Sequence, residues 1–228
     1  MPKSLYKRIN PLRNQYNKQG GIKMYPQITL DYQELSPYLN QETITIHYQI
    51  YLDNLKKLNQ LLNIENYDYS YSLKDLVQSI EIFHLSVRGE ILYYLSSVLN
   101  HNLYFYNISG KRKNQPIGMI KEKINQSFGN YQNFKNEFQK QASNLKGSGY
   151  TFLVLDEKGS LKIINTSNED SPYYYGMIPI ICLDLWEHAY FLQYQNDRQT
   201  YINNFFELID FEKINHYYEQ VTSKKNIF

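Results

Sequence analysis

Hydrophobic positions divide the chain into a helical part and a mixed part. From residue 42 to residue 62, apolar side chains recur every three or four positions, which predicts a long helix. The further helices predicted ahead of the first strand are 75–82, 87–105, 117–128 and 131–144. Every element predicted before residue 145 is therefore a helix, and two of these helices are long.

Strand patterns begin only after these helices. The predicted strands are 150–155, 161–165 and 176–184. The first two are rich in β-branched and aromatic residues and are separated by a turn near 156–160, while the third is an apolar run that ends at Asp184. Two more helices are predicted to follow, one from Glu187 and one near 210–220. Helices followed by a small antiparallel sheet indicate an α+β fold.

The charge is distributed unevenly and suggests a separate N-terminal segment. The net charge is +2, but residues 1–24 contain six Lys and Arg residues and no Asp or Glu. The rest of the chain is mildly acidic, so the basic segment is distinct in character. We predict a basic arm over 1–27 and a domain built on a long antiparallel helical hairpin over 28–110. A C-terminal α/β domain with a three-stranded antiparallel sheet follows over 111–228.

Composition excludes some classes of protein. No apolar run reaches the length of a membrane-spanning helix, and the N-terminus lacks the apolar core of a secretory signal. The chain contains one cysteine, Cys182, which excludes an internal disulfide and fits a reducing compartment.

The candidate chemistry lies where the third strand ends. Asp184 is followed four residues later by His188, and a strand-to-helix turn can aim a carboxylate and an imidazole at one point. His47 and His101 lie on the two long predicted helices and complete a group of three imidazoles and one carboxylate if those helices pack side by side. Spacing alone does not decide whether these four residues form a metal site, because a lone histidine on a helix is more often half-exposed than a metal ligand.

A family resemblance strengthens this interpretation. Residues 184–190, Asp-Leu-Trp-Glu-His-Ala-Tyr, resemble the C-terminal signature of the iron/manganese superoxide dismutases, Asp-x-Trp-Glu-His-Ala-Tyr. The likeness covers nearly all of the chain after the arm. The other segments that carry it are 30–32, 35–38, 42–48, 100–105, 147–149, 166–172, 194–198 and 201–205.

The resemblance implies a site for one Fe or Mn ion and a redox activity. The implied ligands are His47, His101, Asp184 and His188, with one solvent molecule. The implied reaction converts superoxide to dioxygen and hydrogen peroxide while the metal alternates between the +2 and +3 states. Mixed imidazole and carboxylate ligation suits Fe or Mn and offers no soft sulfur for Cu(I).

Further residues are assigned by the same resemblance. Glu187 corresponds to the residue that crosses the family's dimer interface to a ligand histidine of the partner, which implies a homodimer or a heterodimer with a related subunit. Tyr51 corresponds to a gateway tyrosine. We assign Tyr51, Glu169 and Trp186 as candidate residues of the catalytic site.

The first long helix departs from the family pattern and leaves two alignments open. The family has two histidines four residues apart and a tyrosine four residues further on. Anchoring the comparison on 42–48 makes His47 the ligand, whereas anchoring it on Tyr51 and Asn54 places Thr43 at the ligand position. The family's non-ligand histidine bonds an interface tyrosine that is Phe191 here. If this chain lacks both the non-ligand histidine and the tyrosine that it bonds, His47 is favoured as the ligand.

The surroundings of the implied site also differ from the family. The family places a glutamine against the metal-bound solvent from one of two positions, which are Ser97 and Glu169 here. A glutamate can donate a hydrogen bond there only when it is protonated. Tyr150 and Phe152 stand where the family has tryptophans, so the apolar wall is kept with a changed shape.

Two functions therefore compete at this stage. The first is an active superoxide dismutase, homodimeric and located in mitochondria or otherwise in the cytoplasm. It is supported by the complete ligand set, since a site without function tends to lose costly buried polar groups. The second is a superoxide-dismutase-fold structural subunit of a large mitochondrial assembly, such as a respiratory complex or the mitochondrial ribosome. The altered surroundings favour this second function, and the basic arm over 1–27 would then contact RNA phosphates or an acidic neighbour.

Overall fold

The computed structural model describes residues 17–19, 22–30, 34–111 and 113–223. The first elements are two short antiparallel strands, β1 (Asn17–Gln19) and β2 (Ile22–Met24). They belong to the predicted basic arm, whose residues 1–16 lie outside the described residues.

Two long helices form the first layer, as predicted. Helix α1 spans Gln41–Ile64, and its N-terminus is capped by Asn40, whose side chain accepts a hydrogen bond from the backbone N–H of Thr43 at 2.8 Å. The second long helix, α3, spans Leu85–Asn107. The two helices pack antiparallel, because His47 near the start of α1 contacts Phe105 near the end of α3.

The connection between these helices is not the single helix predicted at 75–82. Helix α2 covers Leu73–Gln78, and a 3₁₀ turn covers Ile80–Ile82. The N–H of Ser79 is shared between the carbonyl groups of Asp75 and Leu76. This shared bond tightens the chain from α-helical into 3₁₀ geometry.

The C-terminal half contains the predicted three-stranded antiparallel sheet, so the α+β prediction is confirmed. Its strands are β3 (Gly149–Leu155), β4 (Leu161–Ser167) and β5 (Ile178–Asp184), in the order β4-β3-β5. The central strand β3 is buried along its whole length. Tyr150 of β3 pairs with Asp184 of β5, which fixes the carboxylate at the end of the sheet beside the helices.

Helix α3 is fastened to the outer edge of β5 by one side chain. The amide of Asn107 donates to the carbonyl of Ile180 at 3.2 Å and accepts from the N–H of Cys182 at 2.8 Å. These two bonds satisfy backbone groups that an edge strand would otherwise leave unpaired inside the protein.

Five further α-helices follow in the described residues after α3, and three of them pack against the sheet. They are α4 (Gly118–Phe128), α5 (Tyr131–Asn144), α6 (Phe191–Tyr194), α7 (Arg198–Leu208) and α8 (Phe211–Ser223). The helix predicted near 210–220 is confirmed as α8. Within the described ranges, no helix combines the length and the apolar character that crossing a membrane requires.

The continuous helix predicted to begin at Glu187 is wrong. Residues Glu187–Ala189 form a 3₁₀ turn and α6 is a single turn. Gln195 then takes a positive φ of 52°, which ends the helical path. Asp197 then caps the N-terminus of α7, because its side chain accepts a hydrogen bond from the backbone N–H of Thr200 at 3.0 Å.

Candidate metal centre

Four side chains from both halves of the chain meet at one point. His47 comes from α1, His101 from α3, Asp184 from the end of β5 and His188 from the 3₁₀ turn after it. One potential ligand atom of each lies within 4.8 Å of those of the others. The three Nε2 atoms of the histidines lie 3.1, 3.7 and 3.5 Å from Oδ2 of Asp184, in the order His47, His101, His188. The structure therefore brings His47 to this group, while Thr43 lies one helical turn earlier.

Hydrogen bonds orient two of these side chains. Nδ1 of His101 donates to the carbonyl of Ser97 at 2.8 Å, so this nitrogen carries the proton and Nε2 has a lone pair directed at the centre. Oδ1 of Asp184 accepts from the backbone N–H of Trp186 at 2.9 Å, which leaves Oδ2 facing the histidines. The hydroxyl of Tyr201 donates to the carbonyl of Asp184 at 2.9 Å and holds the strand end in place.

Burial and charge set the protonation of the group. Burial lowers the pKa of His47, and it lowers the pKa of His101 to about 3, so both imidazoles are neutral near pH 7. Burial would raise the pKa of Asp184, but the charge of His188 and the hydrogen bond from His47 hold it below its usual range. Burial also opposes a charge on His188, yet the Asp184 carboxylate outweighs it and raises the pKa of His188.

The donor set fits a metal ion. Nε2 of His101 and Nε2 of His188 are buried and make no hydrogen bond. Unpaired buried polar atoms are costly, and a cation placed among the four donors would satisfy both nitrogens. Burial raises the pKa of the nearby Cys182 thiol, so no thiolate forms there. Imidazole and carboxylate donors without sulfur suit Fe or Mn.

Aromatic rings enclose the centre. The rings of Tyr104 and Phe105 lie 4.8 and 4.9 Å from that of His47, measured between centroids. Trp186 stacks on His188 at 5.8 Å, and Tyr150 meets the edge of His101 at 6.3 Å. These rings exclude water and strengthen electrostatic interactions inside the site.

Access is asymmetric among the four donors. The side chain of His188 is 16% exposed, whereas those of His47, His101 and Asp184 are fully buried. Trp186, which stacks on His188, is partly exposed. The surface approach to the centre therefore lies on the His188 side.

Tyr51, the predicted gateway residue, is buried beside the centre. Its ring is 6.2 Å from that of His101, but the side chain is fully buried. Its hydroxyl accepts a hydrogen bond from the backbone N–H of Ile28 at 2.9 Å. The structure thus places Tyr51 beside the centre and under the N-terminal segment.

Glu169 lies in a hydrogen-bonded row beside the centre. The hydroxyl of Tyr150 donates to Oε2 of Glu169 at 2.7 Å, and Ser97 also hydrogen-bonds this carboxyl. Burial raises the pKa of Glu169 to about 7, and the negative charge of Asp184 acts in the same direction. The row continues to Asn54, whose Nδ2 donates to Oγ of Ser97 at 2.8 Å.

Some supporting residues were not predicted as part of the site. In the sequence Asn54 serves only to anchor one of the two alignments, and nothing in its sequence context signals its bond to Ser97, 43 positions away. The backbone of Ile28 carries no sequence signal for its bond to Tyr51. Tyr201 could have been found, because it lies in one of the segments that carry the family resemblance.

The fold and the site define a class of protein, an α+β metalloprotein with one mononuclear His/Asp centre. The model of a family described as iron/manganese superoxide dismutases, C-terminal domain, matches residues 116–217. Three relatives named as superoxide dismutases are 34–36% identical to this chain over 79–88% of its length. The chain belongs to the iron/manganese superoxide dismutase family, whose members are oxidoreductases that use Fe or Mn.

Three relatives illustrate the extent of the likeness. A protein named Superoxide dismutase [Mn] 3, from Leptolyngbya boryana, is 34% identical over 205 residues, which cover 88% of this chain and 84% of the relative. A Superoxide dismutase [Fe] from Legionella pneumophila is 34% identical over 191 residues, covering 82% and 94%. A Superoxide dismutase [Fe] from Bacteroides fragilis is 36% identical over 185 residues, covering 79% and 91%.

Proposed function

We propose that this protein disproportionates superoxide to dioxygen and hydrogen peroxide at a mononuclear Fe or Mn site. The proposed ligands are His47, His101, Asp184 and His188. The observation that carries the proposal is their convergence within 4.8 Å, with the Nε2 atoms of His101 and His188 left without hydrogen bonds. The bound ion would supply one-electron redox chemistry between its +2 and +3 states.

The surrounding residues select what reaches the centre. Phe105 and Tyr104 close the inner side of His47, so a small anion is expected to approach past His188 and Trp186. Forming hydrogen peroxide consumes protons. Burial raises the pKa of Glu169 to about 7 in the metal-free protein, which makes this carboxyl beside the site the candidate group to hold one.

The alternative function, a structural subunit of a large mitochondrial assembly, has no support in the comparisons with known proteins. It drew on the altered residues Ser97, Glu169 and Phe191 and on the basic arm. In the structure, Ser97 and Glu169 take part in the hydrogen-bonded row beside the centre. A mitochondrial location stays a prediction from the sequence.

We also propose that the protein is a homodimer through the surface around Glu187. This side chain is exposed and accepts a hydrogen bond from the hydroxyl of Ser148 at 2.9 Å. Phe191 and Leu192 of α6 are 48% and 43% exposed, and α6 packs against α1, on which Ile46 is 40% exposed. Exposed apolar side chains around a polar residue are typical of protein interfaces. A native mass of one chain would contradict this proposal.

Enzyme assays with a matched variant test the function. The purified full-length protein is expected to contain about one Fe or Mn ion per chain and to disproportionate superoxide. Asp184→Asn keeps the shape of the side chain but loses its charge, so it should lose most of the metal and of the activity. Metal content and superoxide turnover are measured on the same samples.

Asp197→Asn is the control for this experiment. Asp197 caps α7 at the surface, and asparagine caps equally well, so metal content and activity should stay at the level of the unsubstituted protein. Stoichiometric metal without superoxide turnover would refute the proposed reaction. Absence of both metals would refute the site itself.

A further inference from the structure

The chain ahead of α1 is fastened to that helix at Tyr25. The side-chain amide of Asn59 brackets the backbone of Tyr25, accepting from its N–H at 2.8 Å and donating to its carbonyl at 3.1 Å. The hydroxyl of Tyr25 donates to the carbonyl of Tyr71 at 2.7 Å, and its ring lies 5.0 Å from that of Tyr69. Tyr25 is only 2% exposed as a result.

Two more attachments lie on either side of this point. The Nζ of Lys23 donates to the carbonyl of Asp68 at 2.8 Å. The N–H of Ile28 donates to the hydroxyl of Tyr51 at 2.9 Å, and the hydroxyl of Tyr48 donates to the carbonyl of Ile28. Residues 23–28 are thus held at three places, and we call this segment the strap.

The strap reaches the metal centre through one layer of aromatic rings. The ring of Tyr51 lies 6.2 Å from that of His101 and 5.9 Å from that of Phe105. The ring of Tyr48 lies 5.6 Å from Phe105, which in turn lies 4.9 Å from His47. The strap therefore packs behind the aromatic rings that contact His47 of α1 and His101 of α3.

We propose that the strap closes the α1 side of the centre and sets the rate at which the metal ion leaves. This inference rests on the metal centre proposed above. His47, His101 and Asp184 are fully buried, so releasing the ion requires local opening around at least one of them. His47 lies on α1, to which the strap is bonded, and bonds that form only in the closed state oppose its opening.

The variant Asn59→Ala tests the strap directly. It removes both hydrogen bonds to the backbone of Tyr25 and leaves every residue of the centre in place. Loss of two hydrogen bonds should raise the population of the open strap about ten-fold. The metal-loaded protein should then release its ion into excess chelator about ten-fold faster. Hydrogen exchange at the amides of Tyr25 and Ile28 should accelerate by a similar factor.

Two control variants separate the strap from general destabilisation. Asn63→Ala makes the same change one turn further along α1, at an exposed position outside the strap. Ile120→Val shortens a buried side chain in α4 and so lowers global stability without touching the strap. Both should release metal at the rate of the unsubstituted protein. If Asn59→Ala does not fold, Tyr51→Phe removes the acceptor for the Ile28 N–H while keeping the ring, and it should also accelerate release.

The outcomes distinguish this inference from the proposed function. Faster exchange of the strap amides with an unchanged release rate would overturn the inference, because the ion would then leave on the His188 side. Unchanged amide exchange in Asn59→Ala would overturn it as well. A protein that holds no metal before the test begins would instead contradict the proposed function, on which the inference rests.

Discussion

Glu169 shows how one residue can alter the chemistry beside a His/Asp metal site. Tyr150 and Ser97 both hydrogen-bond its carboxyl group, and burial raises its pKa to about 7. In the metal-free protein at neutral pH, the group therefore exists in both protonation states. Protonated, it can donate a hydrogen bond as the amide of a glutamine does, and ionised, it can only accept one.

The raised pKa of Glu169 predicts a pH-dependent cost to stability. Its pKa rises from 4.5 to about 7 on folding. The folded state therefore loses stability relative to the unfolded state as the pH rises from about 4.5 through 7. Glu169→Gln removes this cost, so its stabilising effect should be about 2–3 kcal/mol larger at pH 8 than at pH 5.

Urea unfolding of the metal-free protein at the two pH values measures this difference. Metal-free samples are needed because a bound cation would itself lower the pKa of Glu169. The unsubstituted protein at each pH provides the reference, so other titrating groups cancel. A stability difference independent of pH would show that this carboxyl is ionised in the folded protein throughout the range.

At the residue scale, the sequence predicted the candidate metal ligands better than the residues that hydrogen-bond and orient them. Asp184 and His188 could be found from their spacing at a strand end, and the family resemblance added His101. His47 competed with Thr43 because two alignments differ by one helical turn. The structure places His47 at the centre, since its Nε2 lies 3.1 Å from Asp184. Residue spacing in a single sequence does not show such distances between side chains that are far apart along the chain.

At the scale of elements, the joint between α3 and β5 holds the two halves of the site together. His101 lies on the helix and Asp184 on the strand, and Asn107 bonds the backbone of Ile180 and Cys182 between them. Because Asn107 is fully buried, no water can replace these bonds.

Asn107→Leu should therefore destabilise the protein strongly. The new side chain has a similar size but leaves one N–H and one C=O of β5 unpaired. The expected loss is about 2–4 kcal/mol in the free energy of unfolding. Urea unfolding without metal measures it, with the exposed Asn144→Leu at the end of α5 as the control, where the change should be within about 0.5 kcal/mol. A loss no larger than in the control would mean that the joint contributes nothing.

Long elements were predicted well, and short ones near the site were not. The helix predicted over 42–62 is α1, and the one over 87–105 is α3, because many apolar positions on one face define each of them. The turn that carries His188 was predicted as the start of a helix. The helical path after this turn ends at the positive φ of Gln195, and Asp197 caps the next helix, α7. Hydrophobic spacing does not encode these local features.

At the scale of the molecule, the metal centre joins segments that are far apart in the chain. His47 and Asp184 are separated by 137 positions, and the first comes from the helical layer while the second comes from the sheet. A bound ion would therefore connect the two halves and stabilise their packing. The strap adds a third segment. From its charge, the sequence predicted this part of the chain only as a basic arm.

The contacts that assemble this molecule explain what the sequence could not supply. The strap is bonded through backbone groups of Tyr25 and Ile28, which every residue type possesses. Its partner Asn59 resembles any other half-exposed polar residue on a helix. Hydrophobic spacing and motif likeness therefore predict the layers and the donors, while attachments made by backbone atoms appear only in three dimensions.

X-ray absorption at the metal edge of the purified, metal-loaded protein tests the central claim most directly. The account predicts one Fe or Mn ion per chain, coordinated by three imidazole groups and by oxygen, with no sulfur neighbour. A sulfur neighbour, or fewer than three imidazole groups, would contradict the site formed by His47, His101, Asp184 and His188.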